Sequence, residues 1–275
     1  MIDLAELAQP FTESITLTAV VDSALCIGAG DSSGSLSDKP ILRNTDGRLV
    51  IPASQLKGRL RHECEKLTRA LGLPTCRSPV PQTMCPQRVG LSENFRLDAY
   101  RIRLPMNQTG NRTPTNPESP EASSDFRQYH CIICQIFGNP TLPARLSCDD
   151  LICVESAETT PETLRPGVTI NRRRGTAEDQ KLYFLETSPA NVSLRFIGSL
   201  DLEPAWITVD REGQERDTTD FAKALLLAGL HHIHALGGSK STGLGWLHWE
   251  NLENLQPADS AIWDALLRIP GGGAG

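Results

Sequence analysis

Cys131 and Cys134 are separated by two residues in CIICQIFGNP (Cys131–Pro140). In a chain with eight cysteines and no secretory pattern, such a pair suits metal coordination better than a disulfide. A tetrahedral Zn²⁺ takes four soft donors, and Cys76 and Cys85 would complete the set. Two other readings compete: a set in which His130 or Cys64 replaces one of these, and thiols that bind nothing. Cys26, Cys148 and Cys153 read as core fillers.

A second chemistry is offered by carboxylates. Asp22 precedes, and Asp31 and Asp38 belong to, the Gly- and Ser-rich loop CIGAGDSSGSLSD (Cys26–Asp38). A carboxylate beside bound RNA holds Mg²⁺ or positions the 2′-hydroxyl of the nucleotide being cleaved. Spacing does not choose among the three, and loop aspartates commonly cap backbone instead.

Groups suited to phosphate come in three places. GGSKSTGLG (Gly237–Gly245) presents backbone donors together with Lys240 and Ser241. It lacks the Gly-Lys pair of a Walker A loop, since Ser239 precedes Lys240, and its alternative is a tight packed turn. Arg172, Arg173 and Arg174 suit phosphate contact and base stacking, or form a solvated charge run. Lys57 and Arg61 stand one helical turn apart, with Arg59 near them, at the start of a helix whose first N–H groups, around Leu56 and Lys57, are unpaired donors. His231, His232 and His234 spread in different directions on a helix, which favours packing or solvent roles over metal.

The elements that must position these groups follow from periodicity. Ile15, Leu17, Ala19 and Val21 take every second position, with Thr16 and Thr18 between the first three, as a half-buried strand. Leu49–Ile51 leads through Pro52 to a helix capped by Ser54, with Leu56, Leu60, Cys64, Leu67 and Leu71 on its buried side and an end near Gly72. Gly58 in that helix lowers its stability unless another backbone approaches closely. Residues 74–130 read as an insertion, with 109–125 mobile. Leu146–Val154, Lys181–Glu186 and the alternation of Val192, Leu194 and Phe196 read as strands. Asp220 caps a helix over Phe221–Leu236 that Gly237 and Gly238 terminate. Trp246–Trp249 closes the sheet, and a short helix starts at Asp259. The pattern predicts an α+β domain with helices against an antiparallel sheet.

Net charge is −6, which argues against nucleic acid until its distribution is seen. Residues 39–103 hold 13 basic and 5 acidic side chains, a net +8, so the remainder carries −14. An acidic protein can therefore present a basic face. No apolar run reaches bilayer length and the start MIDLAELAQP shows no signal pattern, so a cytoplasmic location is expected.

Three stretches, SDKPILRNTDGRLVIPASQLKGRLR (Ser37–Arg61), GVTINRRRGTAEDQKLYFLE (Gly167–Glu186) and GGSKSTGLGW (Gly237–Trp246), resemble in order and separation the RAMP superfamily. Within it they are most similar to the RNA-binding backbone subunits of type III CRISPR effector complexes. The resemblance implies a ferredoxin-like (RRM-like) core with large insertions in a palm, fingers and thumb arrangement. That core would be one domain over residues 1–275, with residues 74–134 as the zinc-bearing fingers and residues 270–275 as a flexible tail.

The implied partners are CRISPR guide RNA, complementary target RNA, and adjacent backbone subunits and other effector-complex proteins, with no membrane. In such subunits the loop Asp followed by x-Pro cleaves target RNA, a position held here by Asp38 with Lys39 and Pro40. Cleavage uses Mg²⁺ or Mn²⁺ and leaves 2′,3′-cyclic phosphate and 5′-hydroxyl ends. Lys39, Ser54, Lys57, Arg59 and Arg61 would hold guide backbone, joined by Arg172–Arg174, Lys240 and Ser241.

The chain departs from the family at Ala53–Gln55, where Gly-Ser-Ser is usual after the proline, and at Asn171, where an acid is usual. No histidine near Cys26–Asp38 supports the histidine-based guide processing found elsewhere in the superfamily. Two further readings stand beside the nuclease: a catalytically inactive structural subunit of the same ribonucleoprotein, and a zinc-stabilised assembly protein without RNA contact.

Overall fold

Alternation in β1 (Glu13–Val21) buries Ile15, Leu17, Ala19 and Val21 on one face, as predicted. The computed structural model describes residues 13–30, 37–73, 75–80, 83–85, 100–102, 129–140, 142–203, 208–209, 215–216 and 219–252. Asp31, residues 109–125, the helix expected from Asp259 and the 270–275 tail lie outside the described residues.

β2 (Val50–Ile51) passes through Pro52 into α1 (Ala53–Ala70). Leu56, Leu60 and Cys64 are buried and Leu67 is half-buried, whereas Leu71 lies past the last turn and is 37% exposed. The expected cap is corrected: Ser54 is already helical, Pro52 is the N-cap residue, and Asp150 Oδ1 accepts the Ala53 N–H at 2.7 Å. Gly58 is exposed, with nothing within 4 Å of an added Cβ, so no backbone among the described residues approaches it.

Next come β3 (Tyr100–Ile102), β4 (Tyr129–His130), α2 (Ile132–Phe137), β5 (Leu146–Cys148) and β6 (Leu151–Cys153). The single strand expected over 146–154 is therefore two, because the chain breaks at Asp149–Asp150 where Asp150 turns to cap α1. β7 (Thr163–Asn171) and β8 (Thr176–Thr187) form a two-stranded hairpin, followed by β9 (Leu194–Leu202), β10 (Thr208–Val209) and β11 (Glu215–Arg216).

α3 (Thr219–His231) buries Leu226 and Leu230 but ends before Leu236. Residues 234–236 leave the helix because they pair with the start of β12 (Leu247–Glu250) and the residues before it. Leu236 N–H donates to Gly245 O at 2.9 Å, and Leu247 N–H to His234 O at 2.9 Å. Gly237 and Gly238 thus do not terminate the helix.

The main sheet runs β12-β1-β9-β6-β2, with β5 also on β9, and its pairs are antiparallel. β1, α1, β5/β6, β9, α3 and β12 follow the split β-α-β order of a ferredoxin-like core. α1 and α3 pack against each other at Gly229, where an added Cβ would stand 2.8 Å from both Cys64 Sγ and Leu60 Cδ1. A smaller sheet, β11-β10-β3-β4, lies apart from it. Among the described residues no helix is long and apolar enough to cross a membrane.

Candidate functional site

Two sets of hydrogen bonds bring the separated stretches together. The Gly-rich loop closes on the chain leaving β1: Gly245 N–H donates to Ala24 O at 2.9 Å and Gly238 N–H to Cys26 O at 2.7 Å. Glycine is required there, since Gly237 has φ +92° and an added Cβ would meet Cys26 O at 2.7 Å. Ser239 adopts a left-handed conformation, φ 53°.

On the other side, β8 holds the acidic loop. Glu186 accepts from Ser37 Oγ at 2.6 Å and from the Ile41 N–H at 2.9 Å. Asp38 Oδ2 accepts the Phe184 N–H at 2.8 Å, and the Asp38 N–H donates to Phe184 O at 3.1 Å. The result is a cleft of about 680 Å³ between Asp38–Pro40, Pro52–Gln55 and Gly237–Ser239. Asp38 is the one of the three candidate carboxylates found there among the described residues. Asp22 instead binds His248 Nδ1 at 2.7 Å and Ser193 Oγ at 3.2 Å.

The cations divide. Lys39 and Ser54 line the cleft. Lys57 Nζ donates to Leu146 O at 2.7 Å, Arg59 pairs with Glu63 at 2.8 Å, and Arg61 binds Glu65 at 3.1 Å and Gly138 O at 3.2 Å. These three α1 side chains have protein partners and line no part of the cleft. The free donors expected around Leu56 and Lys57 are also corrected: Leu56 N–H reaches Pro52 O at 3.2 Å, and Asp150 takes Ala53. Ser54 N–H is the first-turn donor left without a partner among the described residues.

Lys240 Nζ donates to Gly237 O at 2.9 Å, and Ser241 is exposed. Arg172–Arg174 form the exposed turn between β7 and β8, where Asn171 Oδ1 accepts the Arg173 and Arg174 N–H groups. Asn171, the departure from the family pattern, is thereby the residue that shapes the turn. His231, His232 and His234 are exposed.

A second centre lies beneath the start of α2. The sulfurs of Cys76, Cys85, Cys131 and Cys134 all lie within 4.8 Å of one another and all four residues are buried. Cys76 and Cys134 Sγ are 3.5 Å apart, and the Cys131 N–H donates to Cys85 Sγ. Sulfurs on a tetrahedral zinc stand about 3.8 Å apart, so this set fits the ion and is able to chelate it.

Thiol hydrogen bonds within the cluster split its members. Those from Cys131 and from Cys134 hold Cys76 and Cys131, respectively, below the ordinary thiol value, while contact with Cys131 pushes Cys85 and Cys134 up. The alternative ligands are engaged elsewhere: His130 Nδ1 with Asn139 at 2.9 Å, and Cys64 Sγ with Leu225 O. Burial pushes Cys148 up to about 11 and Cys153 up to about 12, as befits inert packed thiols.

Gln55, Asp150 and Glu186 escaped the sequence reading. Gln55 lies on the side of α1 away from Leu56, Leu60 and Cys64, and the partners of the other two are distant in sequence. No curated protein matches the chain. The family model of the RAMP superfamily matches residues 18–248, spanning all three converging stretches and the four-cysteine cluster, and the chain belongs to that superfamily.

Proposed function

We propose that the chain is a guide-RNA-binding backbone subunit of a cytoplasmic type III CRISPR interference complex, and that it cleaves guide-paired target RNA at Asp38. One observation carries this reading: Asp38 is clamped at a cleft that the first turn of α1 and the Gly-rich loop also line. The Ser54 N–H, unpaired among the described residues, and the Lys39 ammonium suit guide phosphates. Arg172–Arg174, Lys240 and Ser241 supply further polar contacts along the strand.

Asp38 Oδ1, unlike Oδ2, has no partner among the described residues and is available to Mg²⁺ or Mn²⁺ beside the scissile nucleotide. Attack of the target 2′-oxygen on phosphorus breaks the bond to the 5′-oxygen, which takes up a proton. The ends are a 2′,3′-cyclic phosphate and a 5′-hydroxyl. Zn²⁺ in the cysteine cluster is structural, and the remaining partners are adjacent backbone subunits and other effector-complex proteins.

A second reading, an inactive structural subunit, draws on the hydrogen bond from Phe184 N–H, which makes Asp38 a staple of its own loop. Asp38→Asn in the assembled complex tests both. The amide oxygen keeps the staple and the charge is gone. Loss of one or more target cuts with target binding intact supports catalysis, and unchanged cut positions reject it.

A further inference from the structure

Gln55 lines the cleft on the first turn of α1. Its Oε1 is shielded from solvent and accepts no hydrogen bond among the described residues. Buried polar atoms are nearly always satisfied, so an orphaned acceptor beside a cleft calls for a donor that arrives with the ligand. A glutamine side chain has three rotatable bonds, and rotation about the last of them would turn this oxygen from its shielded position toward the cleft with no change in the helix.

The identity of that donor follows from the RNA reading above, on which this inference rests. Phosphate oxygens only accept. Base edges change from one nucleotide to the next, so a fixed acceptor cannot rely on them. The ribose 2′-hydroxyl donates, recurs at every nucleotide and is missing from DNA. We infer that Gln55 Oε1 receives the 2′-hydroxyl of one bound nucleotide and that Gln55 is the residue by which this cleft distinguishes RNA from DNA.

The test is the ratio of affinities of the full-length, zinc-loaded chain for labelled oligouridylate and for the matching deoxyuridine oligomer, repeated with the adenine pair. The native chain prefers the ribose form by about three- to ten-fold, the worth of one net hydrogen bond. The 2′-fluoro oligomer, which keeps an RNA-like helix and cannot donate, binds like DNA. Gln55→Ala brings the ratio to about one, with DNA affinity and melting temperature retained.

A ratio that persists in Gln55→Ala, that differs between the two bases, or that survives 2′-fluoro substitution overturns the inference while leaving RNA binding standing. A native chain with no salt-dependent affinity for any of these oligomers overturns the RNA reading itself.

Discussion

Loss of the ion from the four-cysteine cluster has a magnitude that can be worked from chain connectivity. Cys76 and Cys134 are 58 residues apart and meet at 3.5 Å. A covalent cross-link closing a loop of that length stabilises the fold by about 4 kcal/mol through the entropy it removes from the unfolded chain. A metal clip acts in the same way for as long as the ion is bound. With an unfolding entropy of roughly 2.1 cal/mol/K per residue, that loss lowers the melting temperature of a chain this size by about 7 °C.

The assay is elemental analysis paired with calorimetry under reductant, on native protein, native protein with chelator, and Cys131→Ser. The native chain should carry zinc at one ion per chain, and the other two samples should melt together, about 7 °C lower. Cys26→Ser, outside the cluster, should keep its metal. Acidification should release the ion, because protons compete for thiolates and occupancy falls as pH falls. Metal-free native protein, or a Cys131→Ser variant that melts with the native chain, would refute the site.

Two further substitutions probe the cleft and its helix. Glu186→Ala removes the acceptors of Ser37 Oγ and the buried Ile41 N–H. It should cost about 2 kcal/mol and speed hydrogen exchange at Ile41; unchanged protection there would show that the clamp is unimportant. Gly58→Ala adds a methyl that meets nothing within 4 Å. The variant should be more stable by roughly 0.8–1.0 kcal/mol in denaturant titration, and a destabilised variant would contradict the open surface described.

What the sequence made legible was whatever is local or periodic. β1 could be read because one face is buried and a strand alternates with period two. α1 could be phased because Leu56, Leu60 and Cys64 repeat at helical spacing. Its cap could not, since the acceptor for Ala53 lies 97 residues away. Cys131 and Cys134 announced themselves by spacing, whereas Cys76 and Cys85 were assignable only as the pair needed to complete four ligands. The end of α3 was misplaced because 234–236 satisfy their backbone across the Gly-rich loop, a choice made by tertiary pairing over propensity. Lys57, Arg59 and Arg61 were visible as cations, but their partners at Leu146, Glu63 and Gly138 were not.

The clamp on Asp38 also explains how an isolated hairpin can serve the site. A two-stranded ribbon is marginal in water, and this one leaves Ile170 and Leu182 each 60% exposed. One end is pinned where Phe184 and Glu186 hold residues 37–41. The opposite end carries Arg172–Arg174 on the turn shaped by Asn171. β8 therefore joins the arginine tip to the backbone and side chain that aim Asp38. Between the two ends the pairing shifts register after Val168 and Gln180 takes a left-handed φ of 58°, so the tip is joined to the clamp through a bulge that bends the ribbon.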